Sequence, residues 1–286
     1  MYKDFFKLED YPFGVTANPK YLYWSRGHEE ALSFLVYGIE MRKGFVLLTG
    51  EIGAGKTTVC RALAETLSGS HQTAFVFNPN LSELELLETI VEDFGVKPAK
   101  KTKKGYFDAL NRFLIEKNER AQTAVLIIDE AQNLNRRALE QIRLLSNIES
   151  TETKLLQIVL VGQPELRSTL SDPGLAQLRQ RIAVSYHLRP LSRTEIGDYI
   201  FHRLGLARGE KDENGLSIYK NFEPQFEQTT FDLLYNYSGG IPRLINLLCD
   251  KALLAAYVKE TRTITDEIIM EAQSEVEGIT MEGVFK

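Results

Sequence analysis

Cysteine is nearly missing from this chain. Cys60 and Cys249 are the two among 286 residues, and they lie far apart at no metal or redox spacing. That excludes a cysteine-built metal or redox centre and leaves the expectation of buried thiols in a reducing compartment. Excess positive charge is lacking as well. Lys and Arg number 34 against 39 Asp and Glu, a formal net charge of −5. Such a chain is no general polyanion binder, so any nucleic-acid contact must come from a local patch. Long apolar runs are absent: AVLII and LLQIVLVG are strand-sized and fall far short of a membrane span. The opening MYKDFFKLEDYPFG mixes acids into its residues and has no apolar h-region, so it is not expected to be a signal peptide. There is no internal repeat and no low-complexity tract. What is left, with 43% hydrophobic and 26% charged residues, is an ordinary globular chain of one large domain or two modest ones, expected in the cytoplasm.

Short apolar runs alternate with helical patterns. FVLLTG (45–50), TAFVFN (73–78), AVLIID (124–129), LLQIVLVG (155–162) and IAVSYHL (182–188) read as strands buried on both faces. Between them, Leu84, Leu87, Ile90, Val91 and Phe94 repeat with helical period, opened by the capping box Ser82…Glu85 and closed by Gly95. Ala138, Leu139, Ile142, Leu145 and Ile148 form a second such face. Strand, helix, strand in repetition predicts an α/β fold, a parallel sheet flanked by helices. After residue 190 the strand patterns stop. Ser192…Glu195 is another capping box, and Pro224 and Pro242 each suit a first helical turn. Thr265 is placed to cap a last helix carrying Ile268, Ile269, Ala272 and Val276. The expected organisation is an aromatic-rich arm (1–26) packed on the core, an α/β domain (27–190), and a helical domain with a short tail (191–286). The polar ARGEKDENGLS (207–217) reads as a loop, and Tyr23 and Trp24 as arm-packing residues.

GEIGAGKT (50–57) fits G-x-x-x-x-G-K-[ST], and it directly follows a strand and precedes a helical pattern. Gly50, Gly53 and Gly55 let the backbone of Glu51, Ile52 and Ala54 curl so that its N–H groups face a phosphate chain. The helix opening at Lys56, Thr57 and Thr58 adds its positive end. Lys56 would reach the β- and γ-phosphates of a nucleotide and Thr57 would ligate Mg²⁺. VLIIDEAQ (125–132) supplies the partner: a buried strand delivers Asp129 and Glu130 to its C-terminal end, where ligands of an open parallel sheet bind. Asp129 would help hold Mg²⁺ and Glu130 would polarise an attacking water. Gln163, after the next strand, is either a donor to the γ-phosphate and water or a plain loop residue before Pro164. Asn78, ending the second strand, either restrains Glu130 or is a turn residue.

Arg179 and Arg181, in LRQRI (178–182), precede the fifth strand and therefore lie at its N-terminal end, about 20 Å from the phosphates at ~3.3 Å per residue. Either they bind surface carboxylates, or they meet a neighbouring subunit's γ-phosphate as arginine fingers. Arg243, in SGGIPR (238–243), opens a helix of the C-terminal domain and is placed either to fold over its own subunit's phosphates or to face water. The lysines of KPAKKTKKG (97–105) read as a loop between helices. They are either simply solvated or a contact for DNA phosphates or an anionic membrane, with no interleaved aromatics for single-strand stacking. His28 begins the helix before the first strand and is either near the adenine or structural.

Taken together, these motifs resemble AAA+ ATPases. GFVLLTGEIGAGKTT, VLIIDEAQNL, IRLLSNIE, LQIVLVGQPELR, LRQRI and GGIPRLINLLCDKALLAA look, over about residues 1–275, like the general secretion pathway protein A (ExeA-type) ATPases. TniB-type transposition ATPases share much of the pattern. The resemblance implies a five-stranded sheet in the order 5-1-4-3-2, a helical lid, ATP with Mg²⁺, and an oligomer with its ATP site at the subunit interface. It gives Gln163 the sensor-1 place, where Asn or Thr is usual, Arg243 the sensor-2 place, and Arg181 the finger, with Arg179 second. It also implies an envelope partner: a secretion, pilus or exopolysaccharide system for the one family, a transposase and DNA for the other. Secretion-pathway members often continue into a transmembrane helix and a peptidoglycan-binding domain. The sequence up to Lys286 holds neither, so an envelope role is expected to run through a partner or a further segment.

Overall fold

The computed structural model describes residues 1–14, 19–69, 71–77, 80–149, 153–209 and 223–282. Two compact units divide the chain, residues 28–188 and residues 1–27 together with 189–286. In chain order the elements begin with α1 (Tyr2–Phe5), α2 (Arg26–Glu40), β1 (Phe45–Gly50), α3 (Lys56–Leu67) and β2 (His71–Val76). Next come α4 (Glu83–Asp93), α5 (Lys103–Glu119), β3 (Thr123–Ile128), α6 (Arg136–Leu145), β4 (Leu156–Gly162), α7 (Pro164–Leu170), α8 (Ala176–Arg179) and β5 (Ile182–Leu188).

The five strands form one parallel sheet in the order β2-β3-β4-β1-β5, the topology the resemblance implied. The three central strands β1, β3 and β4 are buried at every residue, which is why their sequences are mostly apolar, with Thr49, Thr123 and Gln157 as buried polar exceptions. The edge strands β2 and β5 are only partly covered. That explains a shift in the second strand. It was expected at 73–78 and runs from His71 to Val76, because pairing with β3 (His71↔Thr123 to Val76↔Ile128) sets its ends and an edge tolerates polar His71, Gln72 and Thr73. The exposed Phe77 follows it, and Asn78 lies outside the described residues.

Packed against the sheet, α4 carries the anticipated capping box. Ser82 N–H donates to Glu85 Oε2 at 2.8 Å, and Glu85 N–H returns to Ser82 Oγ at 3.4 Å. Its core face is Leu86, Leu87, Ile90 and Val91, while Leu84 is exposed. Asn135 caps α6 through Ala138 N–H at 2.9 Å, and Ala138, Leu139, Ile142 and Leu145 turn inward. The lysine run is not wholly a loop. Thr102 caps α5, so Lys103 and Lys104 stand in its first turn.

The other unit holds α9 (Glu195–Ala207), β6 (Gln225–Phe226), α10 (Thr230–Ser238), α11 (Pro242–Val258), β7 (Thr263–Ile264) and α12 (Asp266–Glu282). Strands therefore do not end at residue 190. The two-residue β6 and β7 pair in parallel, and Pro224 leads into β6 where a helix was expected, whereas Pro242 does open α11. Of the polar stretch 207–217, residues from 210 onward lie outside the described residues.

The N-terminal arm departs from expectation. Its buried Tyr2, Phe6, Leu8, Phe13 and Tyr21 belong to the core of the C-terminal helices, with Ile196, Leu204, Ile245 and Ile269, and not to the core of the sheet. Polar contacts explain the choice. Arg203 of α9 is buried, donates to the Pro12 carbonyl at 2.6 Å, and lies over the rings of Tyr21 and Tyr199. Tyr2 donates its hydroxyl to Asp250 at 2.5 Å. Tyr23 meets Tyr199 edge-on in the same region, while Trp24 is exposed.

Candidate active site

The loop 50–55 leaves the C-terminal end of β1 and enters α3 at Lys56. Gly55 is the N-cap, with φ +100°, and no side chain bonds the first turn of α3. Here glycine is required twice over. The backbone is left-handed, and a Cβ would stand 2.4 Å from His28 Nε2. A helix that opens on glycine keeps its first N–H groups for an anion, and the local dipole favours one. The Lys56 ammonium is buried and donates to the carbonyls of Gly50 at 2.8 Å and Glu51 at 2.9 Å. Burial holds its pKa below the ordinary lysine value, against the opposing charges of Glu130, Asp129 and Glu51. A phosphate arriving beside it would favour the charged form.

Thr57 Oγ1 donates to Asp129 Oδ2 at 2.7 Å, which joins this loop to the end of β3. Asp129 is 4% exposed, and its other oxygen accepts from Glu130 N–H at 2.9 Å. A hydroxyl and a carboxylate at this separation are hard oxygen ligands suited to Mg²⁺, which takes one or two protein oxygens along with phosphates and water. Among the described residues no group of three or more His, Cys, Asp or Glu forms a closed metal cage, which fits an ion held jointly with phosphate. The pair fits the ion. Thr58 N–H closes onto Gly55 O at 3.0 Å, within the same turn.

Glu130 and Gln163 come together. Gln163, the N-cap of α7 at the end of β4, donates Nε2 to Glu130 Oε2 at 3.2 Å. One participant went unnoticed in the sequence: Gln132 also donates to Glu130 Oε2. The signal was its position two residues past Glu130, in a segment too short to show periodicity. His28 is buried with Nε2 3.2 Å from Ala54 O, against the phosphate loop itself. Cys60, on the buried face of α3, has its thiol pKa raised by burial, as befits an unreactive core thiol.

The two arginines before β5 part company. Arg179 Nη1 donates to the carbonyls of Leu170 at 3.2 Å and Ser171 at 3.1 Å, closing the C-terminal end of α7. Arg181 Nη1 donates to Ser146 Oγ at 2.7 Å and Asn147 Oδ1 at 2.6 Å. Among the described residues neither pairs with a carboxylate. The parallel register, Phe45↔Ile182 through Gly50↔Leu188, sets Arg181 at the opposite end of the sheet from the phosphate loop. Arg243 is exposed in the first turn of α11, in the other unit. Of the lysine run, Lys101 pairs with Glu88 at 3.0 Å and Lys103 with Glu83 at 2.9 Å; Lys97, Lys100 and Lys104 are exposed.

A glycine-rich loop at one strand end, a Thr–Asp pair and a neighbouring glutamate define a P-loop nucleotide-binding fold of the AAA+ class. Residues 39–170 match the family described as AAA domain. Across its whole length the chain is 44% identical to General secretion pathway protein A of Aeromonas hydrophila, over 287 aligned residues. The chain is thus similar over its whole length to that protein, of which it spans about half (50%), and its residues 39–170 carry the match to the AAA domain family. Solved structures share the fold. The ORC2 protein of Aeropyrum pernix, in ADPNP–ADP complexes, matches with TM-score 0.63 at 18% identity, over 93% of this chain and 72% of that one. Cdc6p of Pyrobaculum aerophilum gives 0.66 at 16% identity, over 93% and 70%. The RuvB Holliday junction branch migration motor of Thermotoga maritima gives 0.54 at 20% identity, over 88% and 69%. Among the described residues no helix is long and apolar enough to cross a membrane.

Proposed function

We propose that this protein is an Mg²⁺-dependent ATP hydrolase that works as an oligomeric assembly motor or switch for a secretion, pilus or exopolysaccharide system of the cell envelope. The observation that carries the hydrolytic part is the Thr57–Asp129 contact, which brings the phosphate loop and the carboxylate strand to one point with Glu130 beside it. Lys56 and the N-terminal N–H groups of α3 bind the β- and γ-phosphates. Magnesium bound through Thr57 and Asp129 would add positive charge at the phosphate oxygens. Glu130 takes a proton from water as the water oxygen bonds to the γ-phosphorus and the bond to the β-bridging oxygen breaks, leaving ADP and phosphate. Gln163 hydrogen-bonds the γ-phosphate or the water. Arg243 keeps the sensor-2 place that the resemblance gives it, and Arg181, or else Arg179, completes a neighbour's site. Asn78 as a restraint on Glu130 belongs to the same proposal.

The envelope role rests on the likeness of this whole chain to about half (50%) of General secretion pathway protein A, and with it goes a location at the inner face of the membrane through a partner. Two of the five lysines in 97–104 are ion-paired to α4, which reduces the local basic patch open to DNA phosphates or an anionic membrane alike. The experiment is a comparison of Lys56→Ala and Glu130→Gln. Lys56→Ala should lose ATP binding. Glu130→Gln should keep binding and stop hydrolysis, because the carboxylate acts on the water only in the transition state. Parent-rate turnover by Glu130→Gln would refute the site. A large stimulation of the parent enzyme by DNA that falls with salt would instead overturn the envelope reading.

A further inference from the structure

Glu130 has φ +53°, in the left-handed region that non-glycine residues seldom adopt. A single 3₁₀ turn follows (Ala131–Asn133), closed by Asn133 N–H to Glu130 O at 2.9 Å and Leu134 N–H to Ala131 O at 3.2 Å. The turn brings the Gln132 amide back across the carboxylate of Glu130. Gln132 Nε2 donates to Glu130 Oε2, and Gln132 Oε1 accepts from the backbone N–H of Gln163 at 3.1 Å. The partners fix which way the amide points. A carboxylate only accepts and a backbone N–H only donates, so the opposite orientation would break both bonds. Gly162 makes the room, since a Cβ there would lie 2.8 Å from Gln132 Oε1.

Two donors thus meet on one oxygen. Among the described residues, the side-chain hydrogen bonds to the Glu130 carboxylate both end on Oε2, from Gln132 and from Gln163. We propose that Gln132 is a positioning residue for ATP hydrolysis: it holds Oε2, fixes the carboxylate plane, and leaves Oε1 to take the proton from water. Its second bond ties the end of β3 to the end of β4. The duplication gives each glutamine its own task. Gln163 is at the end of β4, with a side chain free to turn from Glu130 to a γ-phosphate. When it does so, Gln132 keeps the base in place. This inference rests on Glu130 being the general base.

The test uses the full chain and four variants: Gln132→Ala, Gln132→Leu, Glu130→Gln, and the double variant Gln132→Ala with Glu130→Gln. Gln132→Leu keeps the volume and guards against a local collapse in the alanine variant. Steady-state hydrolysis gives kcat and KM, and titration with a fluorescent ATP analogue gives nucleotide affinity. Both single Gln132 variants should lose kcat on the order of a hundredfold, the cost of a misplaced reacting group, with KM and affinity unchanged. The double variant should be no slower than Glu130→Gln alone, because Gln132 acts through Glu130. A parent-like kcat in Gln132→Leu, beside an inactive Glu130→Gln, overturns the inference while leaving the ATPase reading intact. A loss of affinity in step with kcat also overturns it, since that marks a merely structural part. An active Glu130→Gln refutes the reading beneath it, and the inference with it.

Discussion

Arg179 and Arg181 are two residues apart, yet their contacts predict opposite phenotypes. Arg179 bonds two carbonyls at the exposed end of α7, so Arg179→Ala should lower stability by about 0.5–1 kcal/mol and leave hydrolysis intact. Arg181 rests on the neutral oxygens of Ser146 and Asn147, which orient its guanidinium, with the carboxylate of Glu149 near enough to feel its charge. Its own phosphate loop is out of reach. The register from Ile182 to Leu188 puts about 20 Å of strand between them, at ~3.3 Å per residue. Arg181→Ala should therefore bind ATP almost normally and lose about a thousandfold or more in rate. A trans role makes a quantitative demand on mixtures. Arg181→Ala has a good pocket, and Lys56→Ala has a good finger with a dead pocket. In an equal mixture that assembles head to tail at random, roughly a quarter of the interfaces join a good finger to a good pocket. Phosphate release should rise to about that fraction of the parent rate, far above either variant alone. Mixtures that sediment as co-assemblies and remain inactive would remove Arg181 from the finger position. If Arg179→Ala then shows the rate loss and the recovery in its place, the reading of its contacts as a helix cap is wrong.

A finger that bonds the neighbour's γ-phosphate makes that phosphate part of the interface, so Glu130→Gln should assemble with ATP and Mg²⁺ and loosen with ADP. Analytical ultracentrifugation reads this directly, and identical sedimentation in both nucleotides across a concentration series would count against it. In the other unit, Arg203→Ala should cost about 2–4 kcal/mol, since it leaves the buried Pro12 carbonyl without its donor and removes a cation held over Tyr21 and Tyr199. The urea midpoint should fall at unchanged slope. An unmoved midpoint would mean that the arm is not anchored through this side chain.

The α/β fold was legible because the sheet's centre is dry on both faces. A strand with no solvent side is mostly apolar, so Phe45–Gly50, Thr123–Ile128 and Leu156–Gly162 announce themselves as apolar runs broken only by buried, polar Thr49, Thr123 and Gln157. The signal fades toward the edges. His71 and Gln72 belong to β2 only because β3 offers them partners, and no local pattern records that pairing. The same limit misplaced the arm. Its aromatics said plainly that it packs on something. The choice of the C-terminal helices is written in Arg203 and Asp250, nearly the length of the chain away, whose bonds to Pro12 and Tyr2 form only once the fold exists. Asp250 and Arg203 each look, in sequence, like one more charge on a helix.

At the site the division is similar. Residues that bind through the backbone leave a spacing behind, since a loop that curls around phosphate needs glycine at fixed positions; that is why Gly50 to Thr57 could be read at once. Residues that act through another side chain leave none. Gln132 was in plain view inside VLIIDEAQ. Its role depends on a left-handed Glu130, on a turn that reverses the chain within three residues, and on a glycine at 162 in another strand. Arg179 and Arg181 show the converse. Their spacing is informative, yet it could not tell the two side chains apart, because the difference lies in what each guanidinium finds: carbonyls at the end of α7 for one, and Ser146 with Asn147 at the end of α6 for the other. Parts of the machinery that touch the ligand are constrained in sequence by the ligand's shape. Parts that steer those residues are constrained only by the fold around them, and they become visible when the fold does.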